Sequence, residues 1–169
     1  MKNRWTLKVF FLTFLLAIIF SLIANYLGNF NNIILVICIL LIIIIGIIFD
    51  IIGTAVLSCD MKVLHSRASQ KLKGSKQAIK LAKNASIVSS FCNDVVGDVS
   101  GIISGSLITV LIVNIFTTNN ISIWNIILSS VLSSLTVGGK ALGKKLAVKK
   151  SNDIIYNVGK IISIFSHKK

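Results

Sequence analysis

The sequence predicts an all-α membrane protein with four transmembrane helices and amphipathic helices on the cytoplasmic side. Three observations predict it. Of the 169 residues, 54% are hydrophobic, mean hydropathy is +0.89, and proline is absent. The apolar residues fall in windows that reach the roughly 20 residues needed to cross a hydrocarbon core about 30 Å thick. The 18 lysines and arginines, set against 5 acidic residues, avoid two of the connections between those windows altogether.

The first window covers residues 8–27 (KVFFLTFLLAIIFSLIANYL) and follows Lys2 and Arg4. A signal peptide also begins with basic residues, but this run is long and no small-x-small cleavage site follows, so a retained helix is expected. The second window, 33–58, is interrupted only by Gly46, Asp50, Gly53 and Thr54. Residues 60–86 place Leu64, Ala68 and Leu72 at helical spacing, then Ala78, Ile79 and Ala82 beyond Gly74. That pattern predicts two short amphipathic helices on the inner leaflet, broken at the glycine. The third window, 87–116, is more polar and carries Asn93, Asp94 and Asp98; the fourth, 121–142, has Lys140 near its end. The tail starts with Ser151, Asn152 or Asp153 as a cap and sets Ile154, Ile155, Val158, Ile161, Ile162 and Phe165 on one face, as an interfacial helix does. Neither the loop nor the tail is long enough to bury a core of its own. The expected organisation is an N-terminal helix and outer loop (1–32), a three-helix membrane core (33–150) and an amphipathic basic C-terminal helix (151–169).

Net charge of +13 raises nucleic acid as a partner, and the placement of the charges argues against it. The connections 28–32 (GNFNN) and 117–120 (TTNN) are uncharged, whereas Lys2, Arg4, Lys8, the 60–86 segment and the stretch from Lys140 onward hold every Lys and Arg. This is the positive-inside pattern, and it puts both termini and the long loop in the cytoplasm of a cell-membrane protein. The expected partner of the basic face is a bilayer with anionic headgroups, at roughly 1 kcal/mol per basic side chain near the surface. Cys38, Cys59 and Cys92 are odd in number and unpaired in spacing, which reads as small apolar residues with no disulfide framework or zinc site. His65 and His167 lie in basic segments and read as solvated surface.

Three of the five acids, Asp50, Asp94 and Asp98, lie inside the apolar windows, and there is no glutamate. Ionisable groups at such depth are expensive and mark functional sites. At about 1.5 Å per residue they sit roughly 10–17 Å from the cytoplasmic boundaries, with Lys140 shallower. Gly46, Asp50, Gly53 and Thr54 share one helical face. Ser89, Asn93, Gly97, Gly101 and Gly105 repeat every four residues, so Gly97, Gly101 and Gly105 form a candidate seam for close helix packing. Two chemistries suit the acids. Asp50, Thr54, Asn93, Asp94 and Asp98 supply the oxygen ligands a hard cation such as Mg²⁺ requires, with Lys140 as charge partner. Alternatively, Lys140 neutralises a carboxylate and the cluster specifies helix packing.

The stretch Phe49-Asp50-Ile51-Ile52-Gly53-Thr54-Ala55-Val56-Leu57-Ser58, then Phe91-Cys92-Asn93-Asp94, then Gly139-Lys140-Ala141-Leu142-Gly143-Lys144-Lys145-Leu146-Ala147 resembles the membrane domain of the CorB/CorC and cyclin M (CNNM) family. The family pattern is a first core helix ending in phenylalanine, small residues and Glu-Thr-Ala-Leu-Leu-Ser, a second opening with Gly-Asn, and a third ending in Gly-Glu-x-x-Pro-Lys. The resemblance covers about residues 45–165 and makes the first window an addition to a three-helix core. It implies Mg²⁺ or Co²⁺ transport or efflux by a homodimer, with a cation site drawn from Thr54, Asn93 and neighbouring oxygens. Gly53 stands in place of the family's first acid, Lys140 in place of the glutamate and Gly143 in place of the proline. The CBS nucleotide-binding pair that usually follows is not among these residues, so regulation by ATP is not implied, and a separate cytoplasmic regulatory chain is a candidate partner. Two other classes fit the sequence: a non-transporting scaffold that binds lipid or a partner through its basic face, and a membrane-embedded metal-dependent phosphotransferase suggested by Asp94-x-x-x-Asp98. The Asp-Gly-x-x-Ala-Arg element of the latter is absent, and the chain is expected to be no enzyme.

Overall fold

A computed structural model describes residues 2–27, 31–115 and 121–166. Every regular element among them is helical: α1 (Lys2–Leu27), α2 (Asn32–Ser58), α3 (Met61–Ser69), α4 (Ser75–Lys83), α5 (Ala85–Ser90), a π-helical segment (Phe91–Asp98), α6 (Val99–Ile115), α7 (Ile121–Lys149) and α8 (Ser151–Ser166). Three stretches are long and apolar enough to cross a membrane: Asn32–Ser58, Ala85–Ile115 and Ile123–Lys149. α1 carries a shorter apolar run, Val9–Ile23. Most of the connections expected at 28–32 and 117–120, and His167, lie outside the described residues.

The helices group into two compact units. The first takes its residues from Met1–Ile47 and Val95–Gly139. Its core is a stripe at helical spacing on α2, Leu35, Ile39 and Ile43, set among Val99, Ile103, Leu107 and Leu111 of α6, with Leu132 of α7. α1 packs against α6. Further along α2 the side chains shrink: a Cβ on Gly46 would lie 2.9 Å from the Ser100 Cβ and 3.6 Å from the Gly97 carbonyl oxygen. Close backbone approach of this kind is what small residues permit between apolar helices. The seam expected along Gly97, Gly101 and Gly105 is therefore corrected. Gly97 borders the Gly46 contact, but a Cβ on Gly101 or Gly105 meets nothing within 4 Å. These two glycines instead border a cavity of about 180 Å³ that Ser129, Ser133 and Thr136 of α7 also line.

The second unit comprises Ile48–Asp94 and Lys140–Lys169. Asp60 caps α3, its carboxylate accepting from the Lys62 amide at 2.8 Å. Gly74 breaks the loop as the sequence predicts, at φ +90° in the left-handed region that glycine adopts without strain. Neither the loop nor the tail buries a core alone; they share one with the ends of α2 and α7. Ala55 and Val56 of α2, Leu64 of α3, Ala78 of α4, Ala147 of α7 and Ile155 of α8 are all buried together. α8 is thus seated on α4 rather than lying free on its apolar face, and Ile161 and Phe165 stay exposed. The contact depends on a second glycine: a Cβ on Gly159 would come 2.6 Å from the Gly74 carbonyl and 2.9 Å from the Ala78 Cβ. At its start α8 is tied to the α2–α3 junction. The Ser151 hydroxyl donates to the Ser58 carbonyl, the Asp60 amide donates to Asn152 Oδ1, and Arg67 pairs with Asp153 and lies 5.0 Å from the centre of the Tyr156 ring.

Overpacked sites of this kind typically cost about 1–3 kcal/mol, so Gly159→Leu is expected to lower the melting temperature in detergent and expose α8 to protease. Gly101→Ala should leave melting unchanged or raise it, since Ala is the better helix former by up to about 1 kcal/mol. Equal losses in the two variants, read by thermal melting, would contradict these packing assignments.

Candidate functional site

The second unit holds Asp50, Gly53 and Thr54 of α2 and Asn93 and Asp94 of the π-helical segment. Asp50 is 4% exposed, although it stands in a helix made almost wholly of isoleucine, leucine and valine around it. A buried carboxylate needs a countercharge and hydrogen bonds. Its countercharge is Lys144 of α7, whose Nζ lies 3.8 Å from Asp50 Oδ2. That is beyond hydrogen-bond range, and Oδ2 has no hydrogen-bond partner.

One turn on from Asp50, Gly53 lets the Asn93 carboxamide lie against the α2 backbone. A Cβ there would fall 2.7 Å from Asn93 Cγ and collide with Oδ1. The Asn93 Nδ2 donates to the Ser89 hydroxyl at 3.3 Å, which orients the amide and turns Oδ1 inward. Asn93 Oδ1 is likewise buried without a donor. The oxygen that reaches Gly53 comes from Asn93. Thr54, half-buried, is one turn beyond Asp50 and completes the polar face.

The other expected ligands are placed differently. The π-helical segment closes i to i+5 bonds, so each turn takes an extra residue and the four-residue steps expected across 89–105 slip out of phase. Asp94, next to Asn93, points outward and is exposed. Asp98 belongs to the first unit, is also exposed, and is engaged in an interaction of its own. Among the described residues no three His, Cys, Asp or Glu side chains come together as a metal-binding group. The site is therefore not the three-carboxylate cluster of the sequence reading. The second unit holds a buried carboxylate oxygen on α2, a buried carboxamide oxygen on the π-helical segment and the half-buried Thr54. Lys140 is half-buried and has its own interaction, and the cation beside Asp50 is Lys144.

All three cysteines are free thiols. Cys59, just past α2, donates to the Val56 carbonyl, and burial pushes its thiol above the ordinary value against a smaller opposing backbone hydrogen bond, so it stays neutral. Buried oxygens that lack donors are the groups an ion or water satisfies, and carboxylate, amide and hydroxyl oxygens are the ligands that hard divalent cations take.

These features define a helical protein with three segments able to cross a membrane and two buried side-chain oxygens without donors, Asp50 Oδ2 and Asn93 Oδ1, on the second unit. Comparison with protein-family models, with curated proteins and with solved structures finds no match.

Proposed function

We propose that this is a multi-pass membrane protein that binds a divalent cation, Mg²⁺ or Co²⁺, at Asp50, Asn93 and Thr54 and transports it, in the manner the CorB/CorC resemblance implies. The observation that carries the reading is the pair of buried, donorless oxygens, Asp50 Oδ2 and Asn93 Oδ1, held on the two segments that bear the resembling motifs. A hard cation satisfies both and neutralises the carboxylate. Lys144, more than half exposed, is free to swing away when the ion arrives and to return when it leaves.

The same reading takes α1 as a fourth span, with both termini and α3, α4 and α8 in the cytoplasm, because all Lys and Arg then lie inside or at the inner boundary. The chain acts as a homodimer and a transporter, not as an enzyme, and its basic face meets anionic lipid. Labelling of single cysteines supports the topology if Asn31→Cys reacts with an impermeant reagent from outside and Ser75→Cys does not; the reverse pattern overturns it. The Asp50–Lys144 pair also favours a second reading, in which the buried charge only fixes helix packing and the protein is a scaffold. Flux separates the two. In proteoliposomes loaded with a Mg²⁺-sensitive dye, a transporter gives a protein-dependent signal under a Mg²⁺ gradient, and the scaffold gives none.

A further inference from the structure

A cavity of about 420 Å³ opens on the second unit, remote in sequence from Asp50, where α4, α5 and α8 meet. Its size is within the roughly 300–1,000 Å³ of sites that hold small ligands. Its lining is divided by chemistry. Lys76, Gln77 and Lys80 of α4 supply donors, while Leu81, Val88 and Ile162 supply an apolar wall. Asn84 completes the rim, its amide donating to the Lys80 carbonyl. Lys76 and Lys80 are one turn apart, so both ammonium groups serve the same face. No acidic side chain lines the cavity, and two of the unit's four acids, Asp50 and Asp153, already face Lys144 and Arg67. An anion is the complementary ligand, and the apolar wall calls for an anion attached to hydrocarbon.

The position of the cavity points the same way. Asn84 immediately precedes, and Val88 lies in the first turn of, the stretch Ala85–Ile115, which is long and apolar enough to cross a membrane. Residues at the start of a span lie at headgroup level. Ile87, Ile161 and Phe165, close in sequence to the cavity's Val88 and Ile162, are exposed. We propose that this cavity binds the headgroup of an anionic phospholipid, its phosphate held by Lys76 and Lys80 and the start of its acyl chains against Leu81, Val88 and Ile162. This deepens the lipid contact in the function proposed above and rests on the reading of Ala85–Ile115 as a span.

Native mass spectrometry of the full chain, delipidated in neutral detergent, tests it with phosphatidylglycerol, phosphatidylcholine and inorganic phosphate as probes. Phosphatidylglycerol should bind in preference to phosphatidylcholine. Lys76→Gln with Lys80→Gln should weaken it by about tenfold or more, and Lys145→Gln with Lys149→Gln, an equal loss of charge from α7, should change it by less than about twofold. Ile162→Glu, at an exposed position, should weaken the lipid as well. Equal weakening by both lysine pairs would mean diffuse attraction and would overturn the proposal, as would equal binding of phosphatidylcholine. Displacement of the lipid by millimolar phosphate, with Ile162→Glu silent, would make it a free-anion site and overturn it too. A chain that stays in solution without detergent would instead defeat the membrane reading itself.

Discussion

Asp50→Asn is expected to abolish stabilisation by divalent cations without weakening the apo protein. An ion present at about a hundred times its dissociation constant stabilises the wild type by about 2.7 kcal/mol, which raises the melting temperature of a domain this size by several degrees. The variant keeps the shape of the side chain but supplies an amide where the ion needs a charge, so that rise should disappear. Apo stability should stay level or increase. The change removes a buried charge and leaves behind Lys144, whose side chain is 56% exposed and loses little by losing its partner. The metal-dependent rise separates the two roles of Asp50. If the carboxylate served packing alone, there would be no metal-dependent rise to lose.

Gly53→Ala is expected to damage the site from the opposite side. The new Cβ takes the space of the Asn93 carboxamide, displacing Oδ1 from its buried position. Overpacking costs about 1–3 kcal/mol and the better helix propensity of alanine returns up to about 1, so the folded protein should be destabilised modestly. Divalent binding should fall by at least about tenfold. Combining Gly53→Ala with Asn93→Ala should restore melting, because the smaller side chain makes room for the Cβ, but should not restore binding. A double variant that recovers both would show that Asn93 is no ligand.

Much of the architecture was legible in the sequence because it follows from local rules. Runs of 20 or more apolar residues foretell the three long helices, and Gly74 between two short periodic stretches foretells α3 and α4. What escaped was set by contacts between distant segments. The seat of α8 on α4 depends on Gly159 meeting Gly74 and Ala78, which the pattern of α8 alone does not reveal. A single apolar face on a basic tail looks the same whether it covers lipid or protein. Asp94 and Asp98 were assigned to the site by stepping along an α-helix, and the π-helical segment Phe91–Asp98 changes the step. Asn93 lies against α2 because Gly53 carries no side chain there, a contact that the spacing along either helix alone does not reveal. Lys144, one turn beyond Lys140 on α7, lies beside Asp50, a proximity that composition does not reveal.

The most direct test of a cation site at Asp50 and Asn93 is isothermal titration of the purified, folded protein in neutral detergent with Mg²⁺, Mn²⁺ and Co²⁺, alongside Lys144→Gln. The account predicts one saturable site per chain in the wild type. Removing the ammonium 3.8 Å from the carboxylate removes a competing positive charge, so Lys144→Gln should bind severalfold more tightly, the gain being limited by the solvent screening of that exposed side chain. No saturable heat with any of the three ions, or an affinity that Lys144→Gln leaves unchanged, would contradict it.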